Sequence, residues 1–115
     1  MGKQGTIELA FDRAGSATVT LSGEHDLDDA GSVATALAEA ASAASVLVDL
    51  TASTFIDSSV MRELLAASRR AHEGDGRLEL AVPPTGSAVR RALELAGIAP
   101  LIPLQERPSA HDAPA

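Results

Sequence analysis

From residue 45 to residue 97 the chain twice sets a short run of β-formers ahead of a longer run with helical spacing. "SVLVDL" (45–50) is continuously apolar apart from one acid, as expected of a strand buried on both faces. After the link "TAST" and a short extended "FI", a helix begins at the two serines. Its inner stripe reads Met61, Leu64, Leu65 and Ser68, extended by Ala71, with Arg62, Glu63, Arg69 and Arg70 outside. "EGDG" (73–76) closes it with two glycines suited to positive φ. "RLELAV" (77–82) alternates as another strand, "PP" stops it, and "TGSAVRRALELAG" (85–97) predicts a third helix through Val89, Ala92, Leu93 and Ala96. Strands alternating with helices in this way call for parallel pairing through right-handed crossovers. In such units the loops at the carboxyl ends of the strands carry function.

Upstream, "TIELAF" (6–11) and "ATVTLSG" (17–23) flank "DRAGS", a hairpin with Gly15 in the turn. The next segment places Ala30, Val33, Ala34, Leu37, Ala41 and Ala44 at helical spacing, with Asp26 as N-cap and Asp28 and Asp29 in the first turn. Gly31 weakens this helix by about 1 kcal/mol relative to Ala. "LIPL" (101–104) is compatible with a short edge strand, since Pro103 bars a central position. The fold class is therefore α/β, a mixed sheet with the order β-β-α-β-α-β-α and that last short strand. Residues 1–105 read as a single domain and the polar, Pro-containing residues 106–115 as a loose tail.

The 115 residues are enough to bury roughly 65% of the unfolded surface in one core. Only 2% are aromatic, so Leu, Val, Ile and Ala must pack that core closely. With no cysteine, neither a disulfide nor a thiolate metal site is available. The N-terminal stretch lacks an apolar h-region, and no run approaches the ~20 apolar residues of a spanning helix, so a soluble, cytoplasmic protein without membrane insertion is expected. A net charge of −7 repels phosphate backbones, which argues against nucleic acid and for a basic protein partner.

"FIDSS" puts Asp57, Ser58 and Ser59 at the start of a helix. Capping alone accounts for such a triplet, because Asp and Ser are favoured caps. The wider stretch "VLVDLTASTFIDSSVMRELLAASRRA" resembles the signature of the STAS domain, the fold of bacterial anti-sigma factor antagonists. The matching positions are Val46 to Leu50, Phe55, Ile56, Asp57, Ser58 and Ser59. "LSGEHDL" resembles the family's second motif through Gly23, Glu24 and Asp26, and the element order agrees over roughly residues 6 to 105.

The resemblance implies a partner switch. The unphosphorylated protein binds an anti-sigma factor serine kinase of the histidine-kinase-like ATPase type and frees a sigma factor. Phosphorylation of Ser58 ends that binding, and a PP2C-type serine phosphatase resets it. Asp26, Asp57, Ser59, Val60 and Met61 are the expected partner-binding residues, with Ser59 more structural than reactive. A phosphate on Ser58 would bring about −1.5 to −2 charge to a helix N-terminus, which accommodates anions without a change of fold. Val60 stands where the family usually has Gly. At the lip of the contact surface its side chain would narrow the choice of kinase, or mark a member that is not phosphorylated. The alternative function is then a STAS scaffold subunit, for example of a lipid-transporting ABC complex.

Other constellations carry less. "EHDLDD" gathers carboxylates around His25 but lacks the acid spacing and Gly of a calcium loop, so a solvated helix start accounts for it and no metal is expected. Asp57, Ser58 and a histidine do not make a triad without a G-x-S-x-G elbow, with His72 turns away and His111 in the tail. "EGDGR" has no Lys and is no phosphate cradle. Ser53 reads as a turn residue, and the pairs Arg69–Arg70 and Arg90–Arg91 as solvated helix faces. Neither an enzyme nor a cofactor is expected.

Overall fold

The computed structural model describes residues 5–98 and 100–106. Strands β1 (Thr6–Phe11) and β2 (Ser16–His25) form the hairpin, antiparallel from Thr6 opposite Ser22 to Phe11 opposite Ala17. A 3-10 turn (Leu27–Asp29) leads into α1 (Ala30–Ala40), followed by β3 (Ser45–Asp49), β4 (Ser53–Ile56), α2 (Ser58–Glu73), β5 (Arg77–Ala81), α3 (Ala88–Leu95) and β6 (Leu104–Gln105). The sheet order is β1-β2-β3-β5-β6, and every pairing after the hairpin is parallel. The mixed α/β architecture is thus the one the alternation requires. β6 lies at the edge beside β5, with Pro103 just ahead of it. Of the expected tail, residues 107–115 lie outside the described residues.

β4 is the element that most shapes the molecule's functional end. The sequence suggested only an extended "FI", yet Ser53–Ile56 pairs with the distal half of β2. β2 is long enough to serve two neighbours because its register shifts between Gly23 and Glu24. Gly23 takes φ 80°, a left-handed conformation that suits a residue without Cβ at a bulge. Before the bulge Ser16 to Thr20 pair with β3; after it Glu24 lies beside Phe55 and His25 beside Ile56. Ser53 is not a turn residue. It is buried, and its hydroxyl donates to the Leu21 carbonyl, fastening β4 to β2.

Val19, Leu21, Val48, Leu80 and Leu93 are fully buried and form one core with Val33, Leu37 and Ala40 of α1. Each such Val or Leu stabilises the fold by about 1.5–3 kcal/mol relative to exposure. The stripe of α1 runs through Val33, Ala36, Leu37 and Ala40, whereas Ala41 and Ala44 are exposed. In α2 the buried residues are Val60, Leu64 and Ala67, with Met61, Leu65 and Ala71 packed partly against them. Of the expected stripe Met61, Leu64, Leu65 and Ser68, Leu64 is fully buried while Met61, Leu65 and Ser68 are half-buried, and Val60 and Ala67 complete the buried row.

The end of α2 also differs in detail. The left-handed residue is Asp75, at φ 64°, and neither Gly74 nor Gly76 has positive φ. Gly76 is needed for space: a Cβ there would lie 3.1 Å from the Ala44 carbonyl oxygen and 3.3 Å from that of Ala71. The third helix is shorter than its pattern, starting after Ser87, whose Oγ accepts the Arg90 N–H at 3.1 Å.

Candidate functional site

β2 and β4 run parallel and stop level with each other, so two loops emerge side by side. The Asp57 N–H donates to the His25 carbonyl at 2.9 Å, which carries the pairing one residue beyond β4. Each strand is then followed by an aspartate that caps a helical turn. Asp26 Oδ1 accepts the Asp28 N–H at 3.0 Å, and Asp57 Oδ2 accepts the Ser59 N–H at 2.9 Å. Both aspartates have extended backbone, as an N-cap requires.

The two serines differ sharply in what holds them. Ser59 Oγ donates to Asp57 Oδ2 at 2.6 Å, so its hydroxyl is committed to the cap. Ser58, the first residue of α2, is exposed, and its hydroxyl has no hydrogen-bond partner among the described residues. The Asp57 carbonyl receives the N–H groups of Val60 and Met61 at 3.0 and 3.1 Å. The anion-seeking N–H of Ser59 is thus already filled by the protein's own carboxylate.

Those contacts set the electrostatics. The Ser59 hydroxyl and then the Ser59 N–H hold the Asp57 carboxyl below the usual carboxylate range; desolvation opposes them, and the charge of Arg62 adds the smallest lowering effect. Asp57 is therefore a firmly ionised group beside the Ser58 hydroxyl. Glu24 at the end of β2, and Asp26 and Asp28 just after it, are also exposed.

His25 anchors the site from beneath and is not part of a solvated helix start. Its side chain is fully buried, and a side chain at Gly5 would collide with its ring and with the Glu24 carbonyl. The Ser22 carbonyl, 3.0 Å from Nε2, can only accept, so Nε2 carries the proton. Nδ1 has no hydrogen-bond partner among the described residues and lies 3.4 Å from Asp29 Oδ2. No group of three His, Cys, Asp or Glu side chains among the described residues converges as a metal would require.

Of the residues expected to meet a partner, Asp26 is exposed, Asp57 and Ser59 are half-buried in the cap, and Met61 is half-buried against the core. Val60 is corrected. Its side chain is 0% exposed, packed in the core with Leu64, so it does not stand at the lip of any contact surface. The reason is angular: the residue three after an N-cap here turns inward, leaving Ser58 to face solvent. With Val60 inside, it no longer motivates the scaffold alternative.

Two exposed apolar residues at this end are not among the expected partner-binding residues. Phe55 and Leu27 are 46% and 67% exposed, although large apolar side chains are usually covered. The aromatic–aliphatic step before Asp57 contained the signal for Phe55; nothing in the sequence distinguished Leu27 from a core leucine. A cleft of about 440 Å³ lies elsewhere, along the carboxyl half of α2, lined by Leu65, Arg69, His72, Arg77 and Leu101. It includes none of the Asp57–Ser59 residues and is not continuous with their chemistry.

A family model described as Mlab, STAS domain, matches residues 9–103. No curated protein sequence matches the chain. The crystal structure of an anti-sigma factor antagonist from Mycobacterium paratuberculosis is similar, with 25% identity and a TM-score of 0.79 over 97% of this chain and 94% of that one. The anti-sigma factor antagonist SpoIIAA in its unphosphorylated form shares the fold at 16% identity, TM-score 0.71, over 92% of this chain and 93% of its own. The phosphorylated form of SpoIIAA, described as a Bacillus cell fate determinant, aligns equally well, at 19% identity and TM-score 0.70, over 93% of this chain and 97% of its own.

Proposed function

The chain belongs to the STAS domain family, and we propose that within it this protein is an anti-sigma factor antagonist that acts by binding, with Ser58 as its phosphorylation site. In the unphosphorylated state it occupies an anti-sigma factor serine kinase of the histidine-kinase-like ATPase type and so releases a sigma factor. Phosphorylation of Ser58 ends the association, and a PP2C-type phosphatase restores it. The setting this implies is cytoplasmic; no described helix is long and apolar enough to cross a membrane.

The observation that carries the reading is the division of labour between the serines. Ser59 is bound at both its N–H and its hydroxyl to Asp57, whereas the Ser58 hydroxyl is exposed and uncommitted. A kinase can reach Ser58 Oγ without dismantling the cap. The phosphate, of about −1.5 to −2 charge, would then stand next to an ionised Asp57 and near Asp26. Because Asp57 already fills the Ser59 N–H, the new charge would remain in solvent and alter what the surface can bind, with the fold unchanged. The similarity of this chain to both forms of SpoIIAA supports a fold compatible with either state.

Incubation with the cognate kinase and ATP tests the assignment. Wild type and Ser59→Ala should be labelled, and Ser58→Ala should not. Equal labelling of Ser58→Ala would move the site. Absence of labelling, with an ATP-binding transporter subunit recovered in its place, would replace the switch by a scaffold role.

A further inference from the structure

We propose that Leu27 and Phe55 are the apolar anchors of the docking surface around Ser58, and that the partner is a protein face with an apolar recess rimmed by cations. The inference rests on the proposed function, and adds to it the residues and chemistry by which the kinase would be held. Leu27 follows His25 by two residues and Ser58 follows Ile56 by two, and His25 pairs with Ile56. Leu27 and Ser58 therefore leave adjacent strands at the same level. Phe55 sits one residue before Ile56, beside Glu24. All three side chains face solvent, and the 3-10 turn holding Leu27 packs on α2.

Exposed apolar side chains of this size cost solubility unless something covers them, and two of them flank one reactive hydroxyl. The surroundings specify what can cover them. Glu24, Asp26, Asp28, Asp29 and Asp57 lie on the strand ends and turns that carry the pair, with Arg62 close enough to Asp57 to act on its charge. A neutral or acidic partner would bury those carboxylates without compensation, whereas Arg or Lys around an apolar recess would pair with them as the rim closes. The anchors then supply affinity and the carboxylates steer the approach. A phosphate on Ser58 would enter the middle of this face, where the apolar anchors have to be desolvated.

Binding of the cognate anti-sigma kinase should be measured by surface plasmon resonance for wild type, Leu27→Ser, Phe55→Ser and Asp28→Lys. Leu101→Ser and Phe11→Ser serve as controls: exposed Leu101 lines the cleft along the carboxyl half of α2, and exposed Phe11 lies opposite Ala17, at the other end of β2 from His25. Circular dichroism establishes that each variant is folded. Leu27→Ser and Phe55→Ser are expected to weaken binding by at least about tenfold, chiefly through faster dissociation. Asp28→Lys should slow association and flatten its dependence on salt. The controls should bind like wild type. Anchor variants that bind as tightly as wild type overturn the docking surface and leave the kinase reading intact. Wild type that does not bind the kinase overturns both. Binding without Ser58 labelling removes the switch and leaves the surface standing.

Discussion

Val60 offers a test in which two placements predict opposite signs. Buried as it is, Val60→Ala removes two carbons from the core at about 0.8 kcal/mol each, partly offset by Ala's better helix propensity of about 0.5 kcal/mol. A net loss of about 1–2 kcal/mol follows, since the site collapses only in part. Val60→Gly removes three carbons and adds the backbone cost of Gly, for about 3 kcal/mol. An unfolding entropy of about 2.1 cal/mol/K per residue over 115 residues converts each kcal/mol to roughly 4 °C. Val60→Gly should therefore melt about 12 °C lower, and Val60→Ala about 4–8 °C lower. A side chain at an exposed lip behaves otherwise: Ala would stabilise the helix slightly, and Gly would cost only about 0.5 kcal/mol. Urea and thermal unfolding by circular dichroism give these values, and kinase binding measured well below the melting point should stay at the wild-type level. A Val60→Ala protein as stable as wild type or more so, or a Val60→Gly protein that keeps its stability and changes partner, would refute the placement in the core.

Asp57 yields a pH prediction. Its folded pKa is depressed, so its contribution to stability is present above the unfolded carboxylate value near 3.9 and is lost as pH falls through the lower folded value. Ser59→Ala removes the largest cause of that depression and should move the Asp57 titration upward in carboxyl NMR; an unmoved titration would break the assignment of cause. In α1, Gly31 is exposed with nothing within 4 Å of where a Cβ would stand. Gly31→Ala should raise unfolding stability by about 0.5–1 kcal/mol with no effect on binding, and a loss would mean the helix start needs glycine for a reason other than space.

What the sequence made legible follows from which signals are strong. The βα alternation fixes the parallel sheet, and Asp26 and Asp57 are recognisable as caps because an acid ahead of an apolar-periodic run has few other local uses. Helix facing is weaker. In α2, the rows Val60–Leu64–Ala67–Ala71 and Met61–Leu65–Ser68 are both nearly apolar, and only contact with α1 and β5 decides between them. In α1 the run "ATALAEAASAAS" puts alanine on every side, so periodicity cannot say which alanines are covered. β4 is too short for alternation to register, and its existence depends on a bulge in β2 far away in the chain. His25 was hidden among carboxylates: its burial is a tertiary consequence of β4 and residue 5 closing over the end of β2.

Under the proposed function, the cap at Asp57 would let one hydroxyl of a neighbouring pair react without destabilising the helix it begins. A helix N-terminus needs its first N–H groups satisfied, and a free serine hydroxyl at the capping position would be drawn into that task. Here the carboxylate of Asp57 takes the Ser59 N–H and hydroxyl together, and its backbone is held in turn by the His25 carbonyl. Structural duty thus ends one residue short of Ser58 on one side and begins one residue beyond it on the other. Under the proposed function this arrangement separates signal from stability: adding or removing a phosphate on Ser58 leaves every hydrogen bond of the cap in place. It also ties the switch to Asp57. Loss of that carboxylate would free the Ser59 hydroxyl and N–H, give a phosphate on Ser58 a donor to fold back on, and withdraw the charge from the surface that the partner reads.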